Sequence, residues 1–152
     1  MMDPFDQLLL VQHLQIASVG WAVTAVVPTP GEPGAPFAYT VGLTELNHAE
    51  LLIAGLDPAL GTDLLNTLAT RIYHGGLTVA HRQRIDDLIA GYEAMIVEGS
   101  ATEQLVPGTA FARYGPDRVH LAQIVWPCPH SLFPWQDGYC HPANAQPLLA
   151  QP

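Results

Sequence analysis

The stretch PFAYTVGLTELNHAELLIAGL, from Pro36 to Leu56, constrains this chain most. Phe37, Tyr39, Val41 and Leu43 alternate with Ala38, Thr40 and Gly42, the period of a strand over Phe37–Leu43. Leu51–Leu56 is apolar on both faces, as a central strand is. Thr44–Glu50 is the polar loop between them. Two strands so closely joined must pair antiparallel. Gly42 lacks side-chain bulk, so a backbone or a ligand can come close there.

The rest of the chain falls around this hairpin. Asp3-Pro4 reads as a helix start, with a capping Asp and a Pro in the first turn. Phe5, Leu8, Leu9, Val11 and Ile16 carry an apolar pattern to about Ser18, and Gly20 ends it. Trp21–Val27 alternates as a strand. Pro28–Pro36 contains four prolines and two glycines and reads as a loop. Asp57-Pro58 repeats the helix-start signal. Leu60, Leu64, Leu65, Leu68 and Ile72 then form a helical stripe, which Gly75-Gly76 stops. Leu77–Ala80 suggests a short strand, His81–Ala90 a short helix and Tyr92–Glu98 a strand. Thr102–Tyr114 is ambiguous and broken by Pro107-Gly108. Val119–Trp126 is a strand, and Pro127–Pro152 an irregular tail rich in Pro and aromatics.

These elements predict an α+β domain with a mixed, mainly antiparallel sheet. One long helix, Pro58–His74, covers it, with an N-terminal helix and an irregular aromatic C-terminal tail besides. A flavin-type split barrel is the topological alternative. The chain length of 152 residues fits one domain, 1–152.

Composition narrows the function classes. The net charge is −9, there is no lysine, and the five basic residues are Arg71, Arg82, Arg84, Arg113 and Arg118. Such a surface repels nucleic acid and anionic membranes. Without lysine, Schiff-base chemistry and a P-loop are excluded. Met1–Asp6 is acidic, unlike a signal peptide, and the apolar runs are short for a membrane span. A cytoplasmic protein with reduced Cys128 and Cys140 is therefore expected.

The candidate catalytic residues are His48, Glu50 and Glu45. Histidine titrates near neutral pH, and a carboxylate nearby would orient it. The competing reading is a hydrogen-bonded loop, with Glu50 accepting backbone bonds. Tyr39, Thr40 and Gly42 are candidate ligand contacts on the strand before the loop. Trp135, Asp137 and Tyr139 are candidates in the tail, which the sequence suggests folds back over the Thr44–Glu50 end. The tail also offers Cys128, His130, Cys140 and His141 as metal ligands. Their spacing matches no standard zinc site, so no metal is assigned. No cofactor is assigned either. An unknown protein or small molecule is the expected partner, and a homodimer stays open.

The segments GWAV at Gly20, PFAYTVGL at Pro36, HAEL at His48, IAGL at Ile53, LLN at Leu64, IVWP at Ile124, FPWQDGY at Phe133 and QPLL at Gln146 occur in this order. In them the chain resembles DUF4262, a bacterial family of unknown function. The resemblance runs from Gly20 to Leu149 and implies no particular reaction. The residues favour a small ligand- or partner-binding accessory protein using the His48 loop and Phe133–Tyr139. The first alternative is a small enzyme with His48 as general acid/base and Glu45 or Glu50 as orienter. The second is a flavin- or other cofactor-binding protein.

Overall fold

The computed structural model describes residues 1–152. Helix α1 spans Pro4–Val19. Asp3 caps it by accepting the Phe5 N–H at 2.8 Å, and the Gly20 N–H closes it on the Ile16 carbonyl. Strands β1 (Ala22–Val26) and β2 (Phe37–Val41) follow. A 3-10 turn, Leu43–Leu46, leads into β3 (Glu50–Ala54). Helix α2 spans Pro58–Tyr73, with Asp57 capping the Ala59 N–H. Then come β4 (Arg84–Ile89), β5 (Tyr92–Gly99), α3 (Gly108–Tyr114) and β6 (Leu121–Val125).

The six strands form one sheet in the order β1-β2-β3-β6-β5-β4. Every neighbouring pair is antiparallel except β3 and β6, which run parallel. The fold is α+β, as expected. The central position of β3 explains its apolar character on both faces.

Strand alternation divides the core. Ala38, Leu51, Ile53, Ala94, Ile96, Ala122 and Ile124 meet Leu65, Leu68, Ala69 and Ile72 of α2. On the other face Phe37, Tyr39, Val41, Leu52 and Ala54 meet Ile16 of α1 and Ala110 of α3. Met95, Val97 and Val125 are covered there by Phe133 of the tail. Leu68 is fully buried. Leu68→Ala should therefore cost about 3 kcal/mol by urea denaturation, the transfer free energy plus the cavity left behind.

Five departures from the sequence reading concern the core, the elements and the cysteines. Leu43 joins the α2 side of the core rather than that of Phe37, Tyr39 and Val41, because Gly42 has φ +132° and breaks the alternation. Leu60 is exposed although it lies on the α2 stripe. His81–Ala90 is no helix but contains β4, and Leu77–Ala80 is no strand. The helix-like spacing of Ile85, Leu88 and Ile89 comes from an irregularity in the β4–β5 ladder between Ile85 and Ile89, where Asp87 has φ +58°. A bulge shifts side-chain direction by one residue, and so imitates a three-to-four repeat.

The fifth departure is Cys128 and Cys140, which are joined as a disulfide with Cα atoms 6.0 Å apart, so the expected free thiols are absent. The chain turns tightly after Cys128, whose N–H reaches the Leu132 carbonyl while its own carbonyl accepts the Ser131 N–H. Chain separation alone does not show that two cysteines meet. The bridge also removes two sulfurs from the weighed metal set of Cys128, His130, Cys140 and His141.

Candidate functional site

The Thr44–Glu50 loop is organised by Glu50, which is fully buried. Its carboxylate accepts five hydrogen bonds. They come from the Thr40 hydroxyl at 2.8 Å, the N–H groups of Gly42, Leu43 and Thr44 at 3.1, 3.1 and 2.9 Å, and the Thr44 hydroxyl at 2.6 Å. A carboxylate has about four lone-pair sites, so these donors saturate it. Three of them are backbone groups at the start of the 3-10 turn, which otherwise lack partners. Thr40 is itself held by the Leu51 N–H at 2.8 Å.

His48 is equally occupied. Its Nε2 accepts the Val79 N–H at 3.3 Å, and its Nδ1 lies 2.7 Å from the Ala49 carbonyl. An accepting Nε2 leaves the proton on Nδ1, which donates to that carbonyl. Nε2 therefore ties the loop to the segment after α2, and Nδ1 holds the ring to the loop's own backbone.

Glu45 points elsewhere. It accepts from the Tyr114 hydroxyl at 2.5 Å and pairs with Arg113 at 3.5 Å. Burial, and then the bond to Glu45, push the Tyr114 phenol well above its ordinary pKa. Arg113 and Arg118 each lie 5.5 Å over the Tyr114 ring, and Arg113 also reaches His13 of α1 at 3.2 Å. This cluster, unmarked in the sequence, clasps α1, α3 and the loop together.

Tyr39 is in the core. Its hydroxyl accepts the Thr109 N–H at 3.0 Å and bonds the Thr109 hydroxyl at 2.9 Å. Gln12 completes this network through Thr109 at 2.8 Å and Thr24 at 2.9 Å. What comes close to Gly42 is backbone: a Cβ there would collide with the Gly20 carbonyl and lie 2.8 Å from the Trp21 Cα.

The tail does not cover this loop. Phe133 packs on Met95, Val97 and Val125, and Trp135 stacks on Phe133 at 5.1 Å. Val125 ends β6, whereas Glu50 pairs with Leu121 at its start. The length of β6, roughly 13 Å, thus separates the two groups along the sheet. Asp137 is exposed. The sequence suggested proximity because both segments are aromatic or polar and need partners. Strand direction, which the sequence left open, places them at opposite ends.

At the tail end the structure holds an apolar cavity of about 350 Å³. It sits beyond the carboxyl ends of the parallel pair, where Leu56 follows β3 and Trp126 follows β6. Leu60 and Leu64 of α2, the β4–β5 turn and Pro127 and Pro129 complete its walls, together with His141. Ligands commonly lie beyond the carboxyl ends of parallel strands. Trp126 is fixed by its indole N–H to the Ala54 carbonyl at 2.8 Å and by a pair of backbone bonds to the buried Gln146 amide at 3.0 and 2.9 Å. Gln123 similarly holds Leu149 and Pro147, both at 2.8 Å. These bonds explain why IVWP and QPLL belong together.

His141 lies edge-on to Trp126 at 5.7 Å and to Tyr139 at 5.6 Å. Its ring makes no hydrogen bond to protein, and the buried Tyr139 hydroxyl has no partner either. Two sequence features pointed here without being read so: an exposed leucine on the α2 stripe, and a histidine weighed only as a metal ligand.

The fold and cavity define an α+β domain with a parallel strand pair at its centre and an apolar recess at that pair's carboxyl end. The family model for DUF4262, a domain of unknown function, matches residues 15–140, and the chain belongs to that family. No curated protein matches the sequence. No helix is long and apolar enough to cross a membrane.

Proposed function

We propose that this protein binds a small, mainly apolar molecule in the cavity beneath the disulfide-tied tail. The observation that carries this is a preformed apolar recess with one unpartnered imidazole on its wall. Pockets of this kind combine apolar lining with few polar groups that fix orientation. A volume of about 350 Å³ suits a ligand on the order of 10–15 non-hydrogen atoms. His141 would meet its polar end, its ring held edge-on against that of Tyr139.

This reading moves the binding role from the His48 loop to the tail. The enzyme alternative has less support, because His48 and Glu50 spend their polar atoms on the fold and Glu45 is held by Tyr114 and Arg113. A flavin or other phosphate-bearing cofactor also has less support, because no arginine lines the cavity. The cytoplasm remains the proposed compartment. There the Cys128–Cys140 bridge would meet a reducing pool, and packing of Phe133 and Trp135 would hold the tail.

A fluorescence titration with the neutral dye N-phenyl-1-naphthylamine tests the cavity. One saturable site is expected, with quenching of Trp126. Leu60→Trp, at an exposed position on the rim, should abolish it while leaving the unfolding midpoint unchanged. Absence of saturable binding, or binding indifferent to Leu60→Trp, would overturn the proposal.

A further inference from the structure

Three residues that line the apolar cavity stand next to the disulfide. Pro127 and Pro129 flank Cys128, and His141 follows Cys140. The bridge therefore joins two walls of the recess, and the two are held very differently. Cys128 is buried and follows closely on β6. Its N–H donates to the Leu132 carbonyl and its carbonyl accepts the Ser131 N–H, both at 2.8 Å. Phe133 then anchors the chain on Met95, Val97 and Val125 of the sheet.

The other wall has no such anchor. From Pro134 to Ala145 every hydrogen bond stays within the segment or returns to Phe133. The next residue fixed to the domain is Gln146, through its bonds to Trp126. Between these ends the segment meets the domain through ring contacts, Trp135 on Phe133 and His141 on Trp126, and through the disulfide. Ring contacts of this kind are weak singly. Hence the bridge is what sets the position of His141.

We propose that the Cys128–Cys140 bridge is a redox latch on the cavity. Oxidised, it holds His141 in the wall; reduced, it releases the Pro134–Ala145 segment, and affinity for the ligand falls. The proposal rests on the reading of the recess as a ligand site. Access decides how the latch opens. Cys140 is exposed whereas Cys128 is buried, and exposed bridges are the labile ones. A dithiol is the reductant. One of its thiolates attacks the Cys140 Sγ, the S–S bond breaks, and Cys128 leaves with the electron pair and takes a proton. The second thiolate of the reductant then displaces Cys140 from the mixed disulfide, and Cys140 takes a proton in turn. Two electrons and two protons pass to the protein, and the dithiol becomes a disulfide. A released wall must be ordered again whenever ligand binds, and that lost entropy subtracts from affinity. The coupling is reciprocal, so a bound ligand protects the bridge from reduction by the same factor.

Thiol titration of protein purified in air and then denatured should find no thiol before dithiothreitol and two after it. Oxidised protein should bind N-phenyl-1-naphthylamine about tenfold more tightly than reduced protein, a coupling usual for linked sites. Cys140→Ser, made at the exposed end of the bridge so that the core is undisturbed, should bind as weakly as reduced wild type, with or without dithiothreitol. Chymotrypsin should cut after Tyr139 about tenfold faster in the reduced protein, while the far-UV circular dichroism stays unchanged. Free thiols in the air-purified protein, equal or tighter dye binding after reduction, or unaltered cleavage would each overturn the latch. Failure of the oxidised protein to bind the dye, with cleavage still accelerated on reduction, would instead overturn the cavity reading, and with it the latch's role in binding.

Discussion

Replacing Glu50 by alanine should destabilise the protein by about 4 kcal/mol, one of the largest effects of any single substitution in the chain. The substitution leaves five donors without an acceptor in a site closed to water: three N–H groups at the head of the 3-10 turn and the hydroxyls of Thr40 and Thr44. Each orphaned buried donor costs roughly 1–3 kcal/mol, and relaxation of the loop recovers part of the sum. Glu50→Gln should lose less than Glu50→Ala but still measurably, because it offers one acceptor oxygen where the carboxylate offered two. Urea denaturation at neutral pH measures both. A loss below ~1 kcal/mol for Glu50→Ala would mean that the loop is not held from this residue.

Gly42→Ala is expected to cost a similar amount, about 4 kcal/mol, for a different reason. Gly42 has φ +132°, a conformation that costs a non-glycine residue roughly 1–3 kcal/mol. Its missing Cβ is also where the Gly20–Trp21 backbone lies. That obstacle is main chain, fixed by the end of α1 and the start of β1, so it cannot rotate away. The Gly20–Trp21 and Gly42 segments would have to part, and the β1–β2 ladder beside them would bear it. The same urea measurement decides the matter. Retention of full stability would show that the β1–β2 end is more yielding than its contacts imply. Because Gly42 and Glu50 share the loop and a hydrogen bond, their effects should not add.

Most secondary structure was legible in the sequence, wherever a local cause sets it. Asp3-Pro4 and Asp57-Pro58 marked the two long helices, because a capping carboxylate and a proline act on the backbone beside them. The alternation of Phe37–Val41 and the apolar run of β3 identified their strands. His81–Ala90 misled because a bulge alters side-chain direction without a distinct residue signature. Glu50 was legible as a loop acceptor, although its full saturation was not. His48 was legible as a polar loop residue. Its engagement with Val79, thirty-one positions away, was not.

The sequence by itself determined the α+β class, the family, the two long helices and the hairpin around Gly42, since periodicity, capping and turn chemistry act within a few residues. Only the tertiary structure decided where the tail lies, that Cys128 meets Cys140, which hydrogen bonds His48 and Glu50 make, and that His141 faces an apolar recess. Those features depend on β6 entering parallel to β3, between β3 and β5. That pairing joins residues some seventy positions apart, and is settled by which buried faces match across the whole core rather than by any local pattern.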